Sequence, residues 1–475
     1  MKMRKLTYPA AQLLALAVLV TVIVRLPHVP SVAMAAASVA VWGVVVAAYG
    51  RAGNATDTGR YWLLALTTTL CVGVALNYNQ LAASGPSPLL PQFGNFDMAR
   101  YYYGATFISN TGEGYLEGRN ALGYAVVIAG LWKLTGCTLL SPLMLNVLAA
   151  LLTIVLTGAL TRHLLTGRCR RTDDWLMTAG MIASGSVCYL TFSGTLLMKE
   201  SLTALSLAVA ALSALRLRTD STRKGFLTWA LLFAVSCAAM GVLRHGWAIV
   251  PLTVLSVAFW GCGWRRRLAV GAVGVAAVAV CLWCESMMQH CYDVTFHVPN
   301  IDRLSDTFTS PSAGRDAYYS LLERIGYFSR PWWERLLWLP MTAAVQFLTP
   351  FPWNFTREIS TSVTLAAVKF SYPWYAVGGA LLYYWGRCVR RSPHALSIIT
   401  VLATLFWLGF AWFCGGTVAR YAYNLVPLLV PAAVYAAALG VGTKGFRRWA
   451  VIYSIMLAVA LASAYLIQHS KNLLQ

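Results

Sequence analysis

The residues best suited to chemistry are a carboxylate and a set of cations, all placed where apolar runs begin or end. Asp97 opens the stretch Asp97-Met98-Ala99-Arg100-Tyr101, inside a polar segment of an otherwise apolar chain. In a helix, positions i, i+3 and i+4 are neighbours, so Asp97, Arg100 and Tyr101 would share one face. A carboxylate so placed can act as general base toward a hydroxyl. The plain alternative is a weak i,i+3 surface ion pair. Lys199-Glu200 stands at the start of a later apolar run. Charges that close to a bilayer are costly unless used or paired, and a helix N-terminus favours Glu200 electrostatically. Arg244-His245 occupies a short turn between two apolar runs, and Arg420-Tyr421 follows Gly415-Gly416 at the mouth of another. Each alone also fits a snorkelling anchor. Together, Lys199, Arg244, His245 and Arg420 are cations at one expected depth, a pattern suited to a phosphate or pyrophosphate.

The elements that must position these residues follow from composition. The 475 residues are 58% hydrophobic and 11% charged, with a mean hydropathy of +0.62. A soluble chain cannot cover so much apolar surface. The pattern predicts an all-α polytopic membrane protein, because helices satisfy their own backbone in lipid and no alternating strands occur. Thirteen spans are predicted, at 9–27, 31–50, 62–82, 141–161, 176–193, 200–216, 226–243, 247–263, 268–285, 373–387, 395–413, 424–441 and 450–467. Lys2, Arg4 and Lys5 precede the first, which reads as an uncleaved helix rather than a signal peptide.

The net charge of +21 invites a nucleic-acid reading. Its distribution argues against one. Every second short loop is basic, as in Arg168-Cys169-Arg170-Arg171 and Arg265-Arg266-Arg267, which is the positive-inside pattern. The charge therefore sets orientation, with contacts to anionic membrane lipid. It puts the N-terminus inside and, with thirteen spans, the C-terminus outside. The chain reads as one membrane domain, 1–475, with two large outer segments at 83–140 and 286–372. The first has helical-period stretches near 97–109 and 119–135. The second holds Pro331-Trp332-Trp333-Glu334-Arg335-Leu336-Leu337-Trp338, a mixture suited to the lipid headgroup level. The cysteines read as apolar filler, with a pairing among Cys284, Cys291 and Cys414 left open. The histidines never pair at ligand spacing, so no metal or other cofactor is predicted.

One further pattern bears on function. Asp97-x-x-Arg100-Tyr101 with Ala105, then Gly112 and Tyr115-Leu116, then Asn120-Ala121-Leu122-Gly123-Tyr124, resembles the first outer loop of the GT-C glycosyltransferases. The nearest branch holds protein O-mannosyltransferases and aminoarabinose transferases. Leu131-Trp132-Lys133-Leu134-Thr135-Gly136, Lys199-Glu200 and Arg420-Tyr421 with Pro427 fit the same branch, so the resemblance runs over about residues 62–440. It implies a GT-C-like bundle of about 13 transmembrane helices in a bacterial inner membrane, with the site on the outer face. It implies transfer of a sugar from a polyprenyl-phosphate-linked donor to a glycan, lipid or protein acceptor. Asp97 would be the base, and Lys199, Arg244, His245, Arg420 and Tyr421 would hold the donor phosphate. Arg100, Tyr101, Glu117, Arg119 and Glu200 would orient the substrate. The chain departs from the family in carrying a single acid, Asp97 between Phe96 and Met98, where many relatives have two. Some relatives hold a divalent ion through outer acids; no second acid is placed for one here. Two other classes compete. A polysaccharide polymerase or ligase would rely on arginines more than on Asp97. A lipid-linked-sugar transporter would place charges near mid-bilayer and interrupt helices in matching halves.

Overall fold

The computed structural model describes residues 7–53, 56–84, 96–112, 119–187, 193–244, 247–260, 262–292, 326–348, 372–415 and 422–469. Among them the architecture is helical. In chain order the elements are α1 (Tyr8–Val24), α2 (Ser31–Ala52), α3 (Asp57–Ser84), α4 (Phe96–Thr111), α5 (Arg119–Thr135), α6 (Leu140–Leu165), α7 (Asp173–Gly185) and α8 (Glu200–Thr219). There follow α9 (Arg223–Leu243), α10 (Ile249–Val254), α11 (Ser256–Phe259), α12 (Trp264–Tyr292), α13 (Trp332–Leu337), α14 (Leu339–Leu348), α15 (Tyr372–Tyr383), α16 (His394–Cys414), α17 (Val426–Gly440) and α18 (Lys444–His469).

Eight of these helices are long and apolar enough to cross a membrane: α2, α3, α6, α8, α9, α12, α16 and α18. The chain is an integral membrane protein. Shorter helices stand at the other five predicted spans, namely α1, α7, the α10–α11 pair, α15 and α17. Pro251 lies in the first turn of α10, α17 runs through Pro431, and α15 passes into a π-helical turn at Tyr384–Cys388.

Helices α6 and α8 form the centre, with most of their length buried, whereas α18 lies at the periphery, with no fully buried residue in its apolar stretch, and packs on α15 through Trp449 and Tyr453. The buried threonines of α6 do not strand their hydroxyls. Thr153, Thr157 and Thr161 each donate to the carbonyl four residues earlier, at 2.7, 2.7 and 2.8 Å. Small residues let α6 and α7 meet closely: a Cβ on Gly158 would lie 2.7 Å from the Met177 carbonyl oxygen.

Caps explain where several helices begin. Thr172 accepts from Trp175 N at 3.3 Å, and Asp173 and Asp174 sit in the first turn of α7, where the helix dipole favours them. Thr222 accepts from Gly225 N at 3.1 Å to start α9. Arg216 and Arg218 end α8, Arg223 and Lys224 open α9, and Arg265–Arg267 open α12, so one end of the bundle is strongly basic. Arg266 ties that end together by donating to Leu217 O (2.8 Å) and to Asp220 O.

Within 83–140 the described residues hold a helical hairpin, α4 and α5. α4 and α5 pack so closely that a Cβ on Gly104 would lie 3.3 Å from the Ala125 methyl. Tyr102 meets Trp132 edge-on at 5.3 Å. In the second segment, α13 exposes Trp332, Trp333, Leu336 and Leu337. It is tied to the end of α16 by Trp412 Nε1 donating to Trp332 O at 3.1 Å and Tyr327 donating to Trp412 O at 2.5 Å. Cys71, Cys237 and Cys388 are buried thiols. The pairing left open in the sequence turns on Cys291, whose side chain lies outside the described residues.

Candidate active site

At the end of the bundle opposite the basic loops, three charged side chains are almost fully buried. Lys199 and Arg244 are each 5% exposed and Glu200 is 2% exposed. Arg244 comes from the C-terminus of α9 and Glu200 from the N-terminus of α8, so the α8–α9 hairpin brings together residues 44 apart. Arg244 Nη2 donates to Glu200 Oε1 at 2.5 Å. A buried pair of this kind is poor support for net stability, but removing one partner strands the other charge.

Neighbouring aromatics frame the cations. The Arg244 guanidinium lies 4.8 Å from the centre of the Trp247 ring, which stacks on Phe410 of α16 at 4.7 Å and 10°. One turn earlier on α16, Trp407 meets Trp374, and Trp374 meets Tyr423 at 5.2 Å. One aromatic run thus leads from Arg244 through Trp247 to Phe410, and a second, one turn away, from Trp407 through Trp374 to Tyr423. On the other side, Lys199 Nζ lies 5.7 Å from the centre of the Tyr101 ring. Tyr101 meets Tyr124 of α5 edge-on at 5.0 Å.

The Lys199–Tyr101 contact places α4. Tyr101 faces Lys199, and Asp97 and Arg100 stand one turn or less from it on the same helix, both half-buried. Asp97 lies in the first turn of α4, where the helix dipole favours the ionised carboxylate. α5 is fixed against α9 at Gly123, which abuts the Val242 carbonyl with no room for a Cβ, two residues before Arg244.

The turn before α8 is held from two helices. Asn77 of α3 donates to Thr195 O at 2.9 Å. Asn146 of α6 donates to Leu196 O at 2.6 Å and to Met198 O at 2.9 Å. Ser193 and Ser201 share a 3.1 Å hydrogen bond, and Thr203 Oγ1 donates to Lys199 O at 2.9 Å.

Of the residues singled out in the sequence, the structure therefore gathers Lys199, Glu200, Arg244 and Tyr101, with Asp97 and Arg100 on the adjoining helix. Glu117, His245, Arg420 and Tyr421 lie outside the described residues, as does the side chain of Arg119. Asn77, Asn146, Tyr124 and Trp247 also belong to the arrangement, without having been read from the sequence as part of a site. The signal for the two asparagines was an amide inside an apolar span. Chemically, the cluster offers two cations, a paired carboxylate and a half-buried second carboxylate on a neighbouring helix.

No protein-family model and no curated protein matches this chain in sequence. Among solved structures it is similar to ArnT from Cupriavidus metallidurans in the apo state, at 12% identity over 80% of this chain and 78% of that one, with a TM-score of 0.37. The same protein bound to undecaprenyl phosphate gives 14% identity, 81% and 79% coverage, and a TM-score of 0.37. The archaeal oligosaccharyltransferase AglB from Archaeoglobus fulgidus, in complex with an inhibitory peptide and a dolichol-phosphate, gives 14% identity and a TM-score of 0.41. The match covers 88% of this chain but 56% of AglB. These are loose overlaps, and they assign nothing to the site.

Proposed function

We propose that this chain is a GT-C-type glycosyltransferase. It moves a sugar from a polyprenyl-phosphate-linked donor to a glycan, lipid or protein acceptor on the outer face of a bacterial inner membrane. The observation that carries the reading is the buried Lys199–Glu200–Arg244 cluster, set beside the helix that bears Asp97 and opposite the basic end of the bundle. Basic loops face inward, so this end faces out.

In the proposed reaction Asp97 takes the proton of an acceptor hydroxyl. That oxygen forms a bond to the anomeric carbon as the bond from that carbon to the phosphate oxygen breaks, with inversion. The electron pair leaves with the polyprenyl phosphate, and Asp97 later returns its proton to solvent. Lys199 and Arg244 offset the charge growing on the departing phosphate. The aromatic runs through Trp247 and Phe410 and through Trp407 provide apolar surface for the prenyl tail. His245, Arg420 and Tyr421 add to the phosphate contacts, and Arg100, Glu117 and Arg119 orient the sugar and acceptor. The scheme needs no metal or organic cofactor.

The test is mass spectrometry of envelope glycolipids and glycans from a null strain carrying either the wild-type chain or Asp97→Asn at matched protein level. One sugar should be missing in the null, return with wild type and stay missing with Asp97→Asn. Full restoration by Asp97→Asn removes Asp97 as the base and with it this mechanism.

A further inference from the structure

Asn146 sits in the second turn of α6, a 26-residue helix, and is 0% exposed. A carboxamide in a lipid-embedded interior is costly unless its hydrogen bonds are met, and polar residues kept there usually have a use. Its Nδ2 donates to Leu196 O (2.6 Å) and to Met198 O (2.9 Å). Asn77, from α3, holds Thr195 O at 2.9 Å. Three carbonyls of the four residues before Lys199 are thus gripped by two amides from two different helices. One side chain therefore grips the turn that aims Lys199 and Glu200 at two points.

We propose that Asn146, assisted by Asn77, is a positioning residue that sets Lys199 and Glu200 at the head of α8. The inference rests on the phosphate-holding role given to Lys199 above. The amide geometry is specific to this use. A carboxamide presents two N–H donors to two carbonyls two residues apart, which a hydroxyl, with one donor, cannot do.

The test uses the full-length chain in lipid nanodiscs, with Asn146→Leu, Asn146→Gln and Asn77→Leu. Leucine keeps the branched shape and removes the donors; glutamine keeps the amide on a longer arm. The first measurement needs no ligand: the rate at which an amine-selective reagent modifies Lys199, read by residue-resolved mass spectrometry. The exposed Lys133 and Lys224 serve as internal references. Asn146→Leu should raise Lys199 labelling by about tenfold, because two buried carbonyls lose their donors and the turn opens. Asn77→Leu should raise it less, and Asn146→Gln should recover part of the protection. The reference lysines should stay put, and the thermal midpoint should fall only modestly, by the loss of two buried hydrogen bonds. An unchanged Lys199 rate, or a rise at all three lysines together, overturns the positioning role. If Asn146→Leu does not fold, Asn77→Leu carries the same comparison. The second measurement is binding of decaprenyl monophosphate, which should weaken by about tenfold in Asn146→Leu. Unaltered binding despite a freed Lys199 also overturns the proposal. A wild-type chain that binds no phosphate, while Asn146→Leu still frees Lys199, overturns the phosphate reading instead and leaves the clamp standing.

Discussion

Arg244 and Glu200 define the site at the scale of single residues, because each is the condition for burying the other. Their 2.5 Å contact is almost fully buried, so removing either partner leaves the other charge poorly compensated. Arg244→Gln should lower stability by about 3–5 kcal/mol, since it removes the buried charge that Glu200 meets at 2.5 Å. The double variant Arg244→Met, Glu200→Gln should recover most of that loss, because replacing both partners removes both desolvation costs. Glycosyl transfer should be lost in both. Thermal unfolding in detergent and product formation measured on the same samples check this. A double variant as unstable as the single one would mean that the pair does not carry the cost. Sequence reading reached the members of this pair but not their partnership. Lys199-Glu200 and Arg244 stood out as charges at the ends of apolar runs, whereas the contact across 44 residues is made by the fold of the α8–α9 hairpin. Asn77 and Asn146 escaped notice for the converse reason. A single amide barely alters the hydropathy of a span, and its worth lies in carbonyls of a distant turn.

At the scale of elements, the site depends on how closely α5 sits on α9. Gly123 meets the Val242 carbonyl with no space for a Cβ, so the contact is between backbones and cannot yield through a flexible side chain. Gly123→Ala should push α5 away from Arg244 and destabilise the chain by about 1–3 kcal/mol, with a larger proportional loss of activity. Gly130, two turns further along α5, has nothing within 4 Å of an added Cβ. Gly130→Ala should be neutral or stabilising by up to about 1 kcal/mol, as expected for an alanine replacing a helical glycine. Equal effects of the two variants would show that the close approach does not matter. The α8–α9 hairpin has its own determinant at the other end. Thr222 caps α9 and also donates to Asp220, whose carboxylate is held below its ordinary value chiefly by the backbone and side-chain hydrogen bonds from Thr222, at 2.9 and 2.8 Å. Thr222→Ala should cost about 0.5–2 kcal/mol. A depressed carboxylate stabilises above its unfolded value and loses that contribution as pH falls through the folded one. The stability gap between wild type and Asp220→Asn should therefore be full near neutral pH and close as pH drops below 3.8. A gap that is constant with pH would remove the carboxylate's charge from the account. Hydropathy located a helix at every predicted span, but not how many cross in one piece. The π-helical turn that follows α15 at Tyr384–Cys388 is a local change of winding that a window average does not register.

At the scale of the whole molecule, chemistry and orientation are coupled through the two unlike ends of the bundle. Asn146 near the start of α6, Lys199 at the start of α8 and Arg244 at the end of α9 all lie at one end. Arg162 near the end of α6 donates to Ala52 O at 2.8 Å at the other, where Arg216, Arg223 and Arg266 also gather. In the proposed reading, an anionic inner membrane surface holds the basic end inside, and the charged cluster faces out, where the lipid-linked sugar donor is met. The chain carries a natural probe of this arrangement. Cys137, in the turn between α5 and α6, is exposed at the charged-cluster end. Ser221, in the α8–α9 turn, is exposed at the basic end, so Ser221→Cys supplies its counterpart. A membrane-impermeant maleimide applied to intact spheroplasts, with sites read by mass spectrometry, should modify Cys137 and spare Ser221→Cys until the membrane is opened. The reverse pattern would put the basic loops outside. Asp97, Lys199 and Arg244 would then face the cytoplasm, and a transferase working on the outer leaflet would be ruled out however well the isolated site bound phosphate.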